Sequence, residues 1–121
     1  MKIPEISVIV PIYNEALNVE ELNKRLTSVL DATGQPYELI LVDDGSQDDS
    51  WSRMMALGGS RVCVKLSRNF GHQIAVSAGL DRARGKAIVI IDADLQDPPE
   101  LIVPMLQKHR EGFHVVYARR R

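Results

Sequence analysis

Strand and helix signals alternate along this chain, which predicts an α/β protein: a parallel sheet with helices on both faces. Three observations carry that expectation. The runs at 6–11, 37–42 and 87–91 are strand-length and rich in Val, Ile and Leu, as strands buried on both faces of a parallel sheet are. Between them lie segments whose apolar residues recur at spacings of three and four, the helical period. The connections are short, so successive strands are joined by right-handed crossovers.

Taken in order, the first strand occupies 6–11 and is halted by Pro11. A helix from Glu15 to about Leu30 follows, with Asn14 as its cap and Val19, Leu22, Leu26, Val29 and Leu30 on its apolar face. Residues 32–36 make the exit turn, and 37–42 form a second strand ending in Asp43-Asp44-Gly45-Ser46. Ser46 and Asp49 read as a capping box for a short helix through Trp51, Met54, Met55 and Leu57, which Gly58-Gly59 ends. A third strand spans 62–66. The helix from Gly71 to about Arg84 carries Ala75, Ala78, Gly79 and Ala83, small residues suited to close packing on a sheet. The fourth strand, 87–91, leads into Asp92-Ala93-Asp94-Leu95-Gln96-Asp97-Pro98-Pro99-Glu100. There Asp97, Pro98 and Glu100 read as the cap, first turn and capping-box partner of a helix from Leu101 to about Arg110. Residues 113–117 make the last strand. No internal repeat, linker or low-complexity stretch interrupts the series.

Composition narrows the function classes. At 121 residues and 45% hydrophobic, the chain is one domain with a proper core. A net charge of -1, with no basic stripe before Arg119-Arg120-Arg121, argues against nucleic-acid binding. The single cysteine, Cys63, alternates with Val62 and Val64, which reads as a buried, inert thiol in a reducing cytoplasmic setting. Neither a signal peptide nor a run of membrane-spanning length is visible.

The chemistry gathers where strands end, because ligands of open α/β sheets bind at the carboxyl edge. Asp92 and Asp94 leave the fourth strand two residues apart and can point the same way, with Gln96 next in the series. Paired carboxylates there suit a hard divalent cation that also takes phosphate oxygens. Helix capping explains Asp97 but not these two. After the first strand, Pro11, Tyr13, Asn14 and Glu15 offer an aromatic face and a carboxylate for a nucleobase. Plain capping by Asn14, with Glu15 favoured by the helix dipole, explains the same residues equally well. After the second strand, Asp43 and Asp44 can accept hydrogen bonds from ribose hydroxyls or a base N–H; a simple turn needs only one acid. After the third, Ser67-Arg68-Asn69-Phe70-Gly71-His72-Gln73 opens a helix whose N-terminus attracts anions.

Together the stretches 8–15, 41–46, 66–71 and 92–100 resemble the inverting nucleotide-sugar glycosyltransferases of family 2, and the resemblance covers nearly the whole chain. Within that family the chain looks most like the polyprenyl-phosphate hexosyltransferases, such as dolichol-phosphate mannose synthases and bactoprenol glucosyltransferases. The resemblance implies the Rossmann-like nucleotide-binding half of a GT-A fold. It implies that Pro11, Tyr13, Glu15 and Asp43 cradle base and ribose, with Asp44 a neighbouring support and Asn14 beside them. Asp92 and Asp94 match the D-x-D pair, Asp94 and Gln96 being the better ligands for Mg²⁺ or Mn²⁺ and Asp92 lying nearer the nucleotide. Arg120, or Arg119 if the alignment slips by one, matches the arginine that grips the donor diphosphate. The implied donor is a nucleoside-diphosphate sugar, a UDP-sugar ahead of GDP-mannose, and the implied acceptor a polyprenyl phosphate. Such relatives work at the cytoplasmic face, many held there by membrane spans. They also continue into an acceptor half, so residues 1–121 are expected to be the donor half, ending before it and prone to self-associate through the wall it leaves uncovered.

Two other readings compete. A receiver domain of two-component signalling has similar size and an acidic metal pocket, but it wants its acidic pair after the first strand and a lysine after the last; here Asn14-Glu15 and arginines stand there. A non-catalytic nucleotide-binding fragment shares every donor-side residue. The lack of G-x-G-x-x-G after the first strand argues against a dinucleotide-binding dehydrogenase.

Overall fold

The computed structural model describes residues 4–59, 61–93, 100, 102–104 and the backbone of 115–117. The elements run β1 (Ile6–Ile12), α1 (Val19–Ala32), β2 (Tyr37–Asp43), α2 (Ser50–Ala56), β3 (Arg61–Lys65), α3 (His72–Arg82), β4 (Ala87–Ile90) and β5 (Val115–Tyr117). All strand pairs are parallel, in the order β3-β2-β1-β4-β5. The α/β class and the helices on both faces are as the sequence predicts.

Because side chains alternate along a strand, β1 feeds two cores. Ile6, Val8, Val10 and Ile12 pack with Leu22, Leu26 and Leu30 of α1 and Met54 of α2. Ile9 faces the other way, with Ile40, Val42 and Ile90, and meets Ala75 and Val76 of α3. Each fully buried Leu or Ile in these layers contributes about 1.5–3 kcal/mol relative to an exposed one. Gly79 explains the small-residue face of α3: a Cβ there would lie 2.5 Å from the Ile9 side chain. At the amino edge of the sheet, the Ser7 hydroxyl donates to Glu38 Oε2 at 2.6 Å and accepts from the Gly85 N–H at 2.7 Å. The Arg84 N–H also donates to Glu38 Oε2. This buried polar knot pins the α3–β4 turn.

Several boundaries differ from expectation, each for a physical reason. Pro11 does not halt β1, which runs on through Ile12 beside Asp43. The Ile9 carbonyl accepts from the Ile91 N–H, and residues two apart face the same neighbour, so the N–H that Pro11 lacks is one that would have been aimed past the end of β4. The proline thus ends pairing on one side only. The first helix starts at Val19, not Glu15, and Asn14 is not its cap: Asn18 holds that position. Asn14 instead has φ +52°, in the left-handed region that asparagine tolerates. The Ser46–Asp49 capping box does not form either; Asp49 is the N-cap of α2 without a side-chain cap bond, and Ser46 is used elsewhere. Cys63 is half-buried on the edge strand rather than fully buried, and burial still pushes its thiol pKa up, against the pull of Arg61. Residues 102–104 are helical, as expected. The Asp97–Pro98 helix start, the rest of that helix and the beginning of the last strand lie outside the described residues, while the Glu100 carboxylate accepts from Arg25 at 3.1 Å.

Candidate functional site

The chain turns back across the sheet between β3 and β4, so the order reverses between β1 and β4. That is the switch point at which ligand crevices open in such sheets. Two hollows lie there. One, of about 360 Å³, has Pro11, Ile12 and Tyr13 on one side and Asp44, Asn69, Gly71 and His72 on the other. The second, of about 150 Å³, is lined by Pro11, Tyr13, Glu15, Asp92 and Ala93. Pro11 and the half-exposed Tyr13 line both.

The two acids after β2 have different surroundings. Asp43 is 1% exposed; its Oδ1 accepts from the Ser46 N–H at 3.2 Å, and its Oδ2 has no hydrogen-bond partner among the described residues. A buried carboxylate oxygen left unpaired is costly, and a polar ligand offering an N–H or O–H would remove that cost. Asp44, also buried, has both oxygens engaged. Its Oδ1 accepts from the Phe70 N–H at 2.8 Å, and its Oδ2 from the Gly71 N–H and Asn69 Nδ2 at 3.2 and 3.1 Å. Asp44 therefore holds the loop before α3 while also lining the larger hollow.

Asn14 is spent in a similar way. Its Oδ1 accepts from the Gln47 N–H at 2.8 Å and the Asp48 N–H at 3.4 Å, and its own N–H donates to Ser46 Oγ at 2.9 Å. Glu15 Oε2 accepts from Asn18 Nδ2 at 2.6 Å. The loop before α3 brings Arg68 over the Phe70 ring at 4.4 Å and sets His72 Nε2 3.8 Å from Asp92 Oδ1. The structure thus brings Pro11, Tyr13, Glu15, Asp44 and Asp92 to one cleft, with Asp43 at the adjoining strand end. Asp94, Gln96, Arg119 and Arg120 lie outside the described residues. Among the described residues no cluster of three metal-ligating side chains forms. Asp92, partly exposed beside the smaller hollow, is a hard oxygen donor of the type Mg²⁺ and Mn²⁺ take, so the described part of the donor set fits such an ion.

Sequence reasoning missed Ser46, Asp48 and Ser50 as supports of the cleft. Their signal was a run of short side-chain acceptors between a strand end and a short helix, the pattern of local side-chain-to-backbone bonding.

A Rossmann-like strand order with acids at the switch point defines the class: an open, parallel α/β domain with its ligand cleft at the carboxyl edge of the sheet. The family model for glycosyl transferase family 2 matches residues 7–121, and the chain belongs to that family. That membership removes the receiver-domain alternative. The chain is 55% identical over 115 residues to an uncharacterized glycosyltransferase, YkcC, of Bacillus subtilis, covering 93% of this chain and 36% of the relative. It is 42% identical over 118 residues to the undecaprenyl-phosphate 4-deoxy-4-formamido-L-arabinose transferase of an Enterobacter species, covering 94% and 36%. The chain thus spans about a third of the length of these curated relatives. Among solved structures, a mannosyltransferase from Pyrobaculum calidifontis in complex with GDP-mannose and Mn²⁺ superposes with a TM-score of 0.71 at 27% identity, over 89% of this chain and 32% of that one. The glucosyl-3-phosphoglycerate synthase of Mycobacterium tuberculosis, in complex with Mn²⁺, UDP and glucosyl-3-phosphoglycerate, gives 0.66 at 30% identity, over 84% and 37%.

Proposed function

We propose that this chain forms the donor-binding part of a metal-dependent, inverting glycosyltransferase that moves a hexose from a nucleoside-diphosphate sugar, a UDP-sugar ahead of GDP-mannose, to a polyprenyl phosphate. The observation that carries the reading is Asp43: a buried carboxylate with one oxygen unpaired among the described residues, at the strand end beside Ile12, whose chain neighbours Pro11 and Tyr13 line the hollows. That is what a site for a base N–H or ribose hydroxyl requires before its ligand arrives. Tyr13 supplies a stacking face and Glu15 a second acceptor, while Asp44 keeps the facing loop in place.

Departure of a nucleoside diphosphate builds negative charge on phosphate oxygens, so the site must neutralise it as the bond breaks. Asp94, Gln96 and Asp92 would hold Mg²⁺ or Mn²⁺, which when bound supplies that neutralisation as a Lewis acid. Arg120 grips the same diphosphate. A lipid phosphate acceptor is already an anion and attacks the anomeric carbon from the face opposite the leaving group without a strong general base. The acceptor half belongs to the part of the relatives' length that this chain does not span, and the whole enzyme works at the cytoplasmic face of a membrane. Among the described residues no helix is long and apolar enough to cross one. A non-catalytic nucleotide-binding role uses the same donor residues and differs in turnover alone.

Calorimetric titration of UDP and GDP, each with and without Mn²⁺ or Mg²⁺, tests the reading. UDP should bind, more tightly with metal and more tightly than GDP. No heat with either nucleotide would remove the donor site from this chain.

A further inference from the structure

Three consecutive backbone N–H groups after β1 are held by side chains from the loop after β2 and the first residue of α2. Asn14 donates to Ser46 Oγ at 2.9 Å, Glu15 to Ser50 Oγ at 2.9 Å and Ala16 to Asp48 Oδ2 at 3.2 Å. Asn14 Oδ1 returns the contact by accepting from Gln47 and Asp48. Asp48 organises its own side of the junction, because its Oδ1 accepts both the Ser50 N–H at 2.9 Å and the Ser50 hydroxyl at 2.6 Å. With its proton directed to Asp48, the buried Ser50 hydroxyl has a lone pair to offer Glu15.

We infer that Asp48 and Asn14 form a clasp between these two loops that preorganises Tyr13 and Glu15 for the nucleoside, making both positioning residues rather than ligand contacts. The inference rests on the donor-site reading above and adds what fixes it. Tyr13 and Glu15 flank Asn14, which sits at φ +52°, a conformation that seldom persists in a non-glycine residue without local bonds. Their side chains face the two hollows, whereas the backbone atoms that aim them face the second loop. Without the clasp, residues 13–16 would have to be ordered when the ligand binds, and that ordering is subtracted from affinity. Asp48 is exposed and lines neither hollow. Its effect on a ligand must therefore pass through the loops.

The test titrates UDP and uridine, with and without Mn²⁺, into the unmodified chain and into Asp48→Ala, Asn14→Gly and Asn14→Asp. Glycine keeps the left-handed backbone but loses the acceptor, whereas aspartate keeps both. The first two variants should bind UDP and uridine about tenfold more weakly, by the same factor with and without metal, and Asn14→Asp should stay within about twofold. Amide hydrogen exchange at residues 14–16 should accelerate in the first two variants and not in the third. If the unmodified chain binds no nucleotide, the donor-site reading itself fails. If it binds and Asn14→Gly, folded by circular dichroism, binds equally well, the clasp is overturned. Equal losses in Asn14→Gly and Asn14→Asp would overturn it too, because the acceptor oxygen would then not be what matters.

Discussion

Gly45 and Arg68 approach so closely that a Cβ on Gly45 would collide with the Arg68 carbonyl carbon and lie 2.7 Å from its carbonyl oxygen. Gly45 also has φ +70°, which L-residues rarely adopt. The obstacle is backbone, which cannot rotate away. Gly45 is what lets the loop before α3 settle against the end of β2, where Asp44 can gather the N–H groups of Phe70 and Gly71. Gly45→Ala should therefore destabilise the fold by about 2–4 kcal/mol, from overpacking together with backbone strain. Urea unfolding of the two proteins measures it; a loss below about 0.5 kcal/mol, the range of neutral surface changes, would contradict the packing described.

The acids of the cleft should separate by role. Asp43→Ala removes a buried acceptor, so nucleoside affinity should fall about 10–100-fold with or without metal. Asp94→Asn should erase the gain that Mn²⁺ gives while leaving metal-free binding nearly intact. Paired titrations of UDP in metal and in chelator distinguish the two; identical profiles would show that the division of labour is wrong.

Acid should loosen the junction at Asp48. Desolvation of its carboxylate tends to raise its pKa, but hydrogen bonds from the Ser50 hydroxyl, the Ser50 N–H and the Ala16 N–H outweigh this and hold it below the ordinary value of 3.8. A carboxyl depressed in the folded state adds stability above its unfolded pKa and loses it as the pH falls through the folded one. The stability difference between the unmodified chain and Asp48→Asn should thus be constant at neutral pH and shrink below about pH 4. Unfolding curves at a series of acidic pH values check it, and a difference that grew on acidification would have the wrong sign.

Large apolar side chains are exposed in the segments that follow β1 and β3: Leu17 in the β1–α1 loop, and Phe70 and Ile74 around the start of α3. Surface of this kind favours association, so light scattering should show mass rising with concentration, and Phe70→Ser with Ile74→Ser should reduce it. A monodisperse monomer at high concentration would show that these side chains are tolerated singly. In a radiolabelled assay the 121-residue chain alone should bind donor without measurable transfer to a polyprenyl phosphate, since acceptor orientation needs a second wall.

The sheet was legible because burial on both faces leaves long Val/Ile/Leu runs, and 37–42 and 87–91 each match the observed strand to within one residue. The start of α1 was not. Asn14 and Glu15 look like a cap and first turn when only neighbours in sequence are considered, yet their backbone partners are Ser46 and Ser50, more than thirty residues away. Local pattern cannot register a donor satisfied from another loop. The Ser46–Asp49 box failed for the same reason. At the site, strand-end position singled out Asp43 and Asp44 together, whereas the contrast between an unpaired oxygen on one and two engaged oxygens on the other exists only in three dimensions.

Pro11 carries a consequence for any attempt to alter the cleft. Here the last contact between β1 and β4 is the Ile91 N–H on the Ile9 carbonyl, and the next β1 residue facing that side, Pro11, has no donor to offer. Any other residue at this position would place a donor there aimed past the end of β4, so the proline spares the mouth of the cleft an N–H that no neighbouring strand is there to accept.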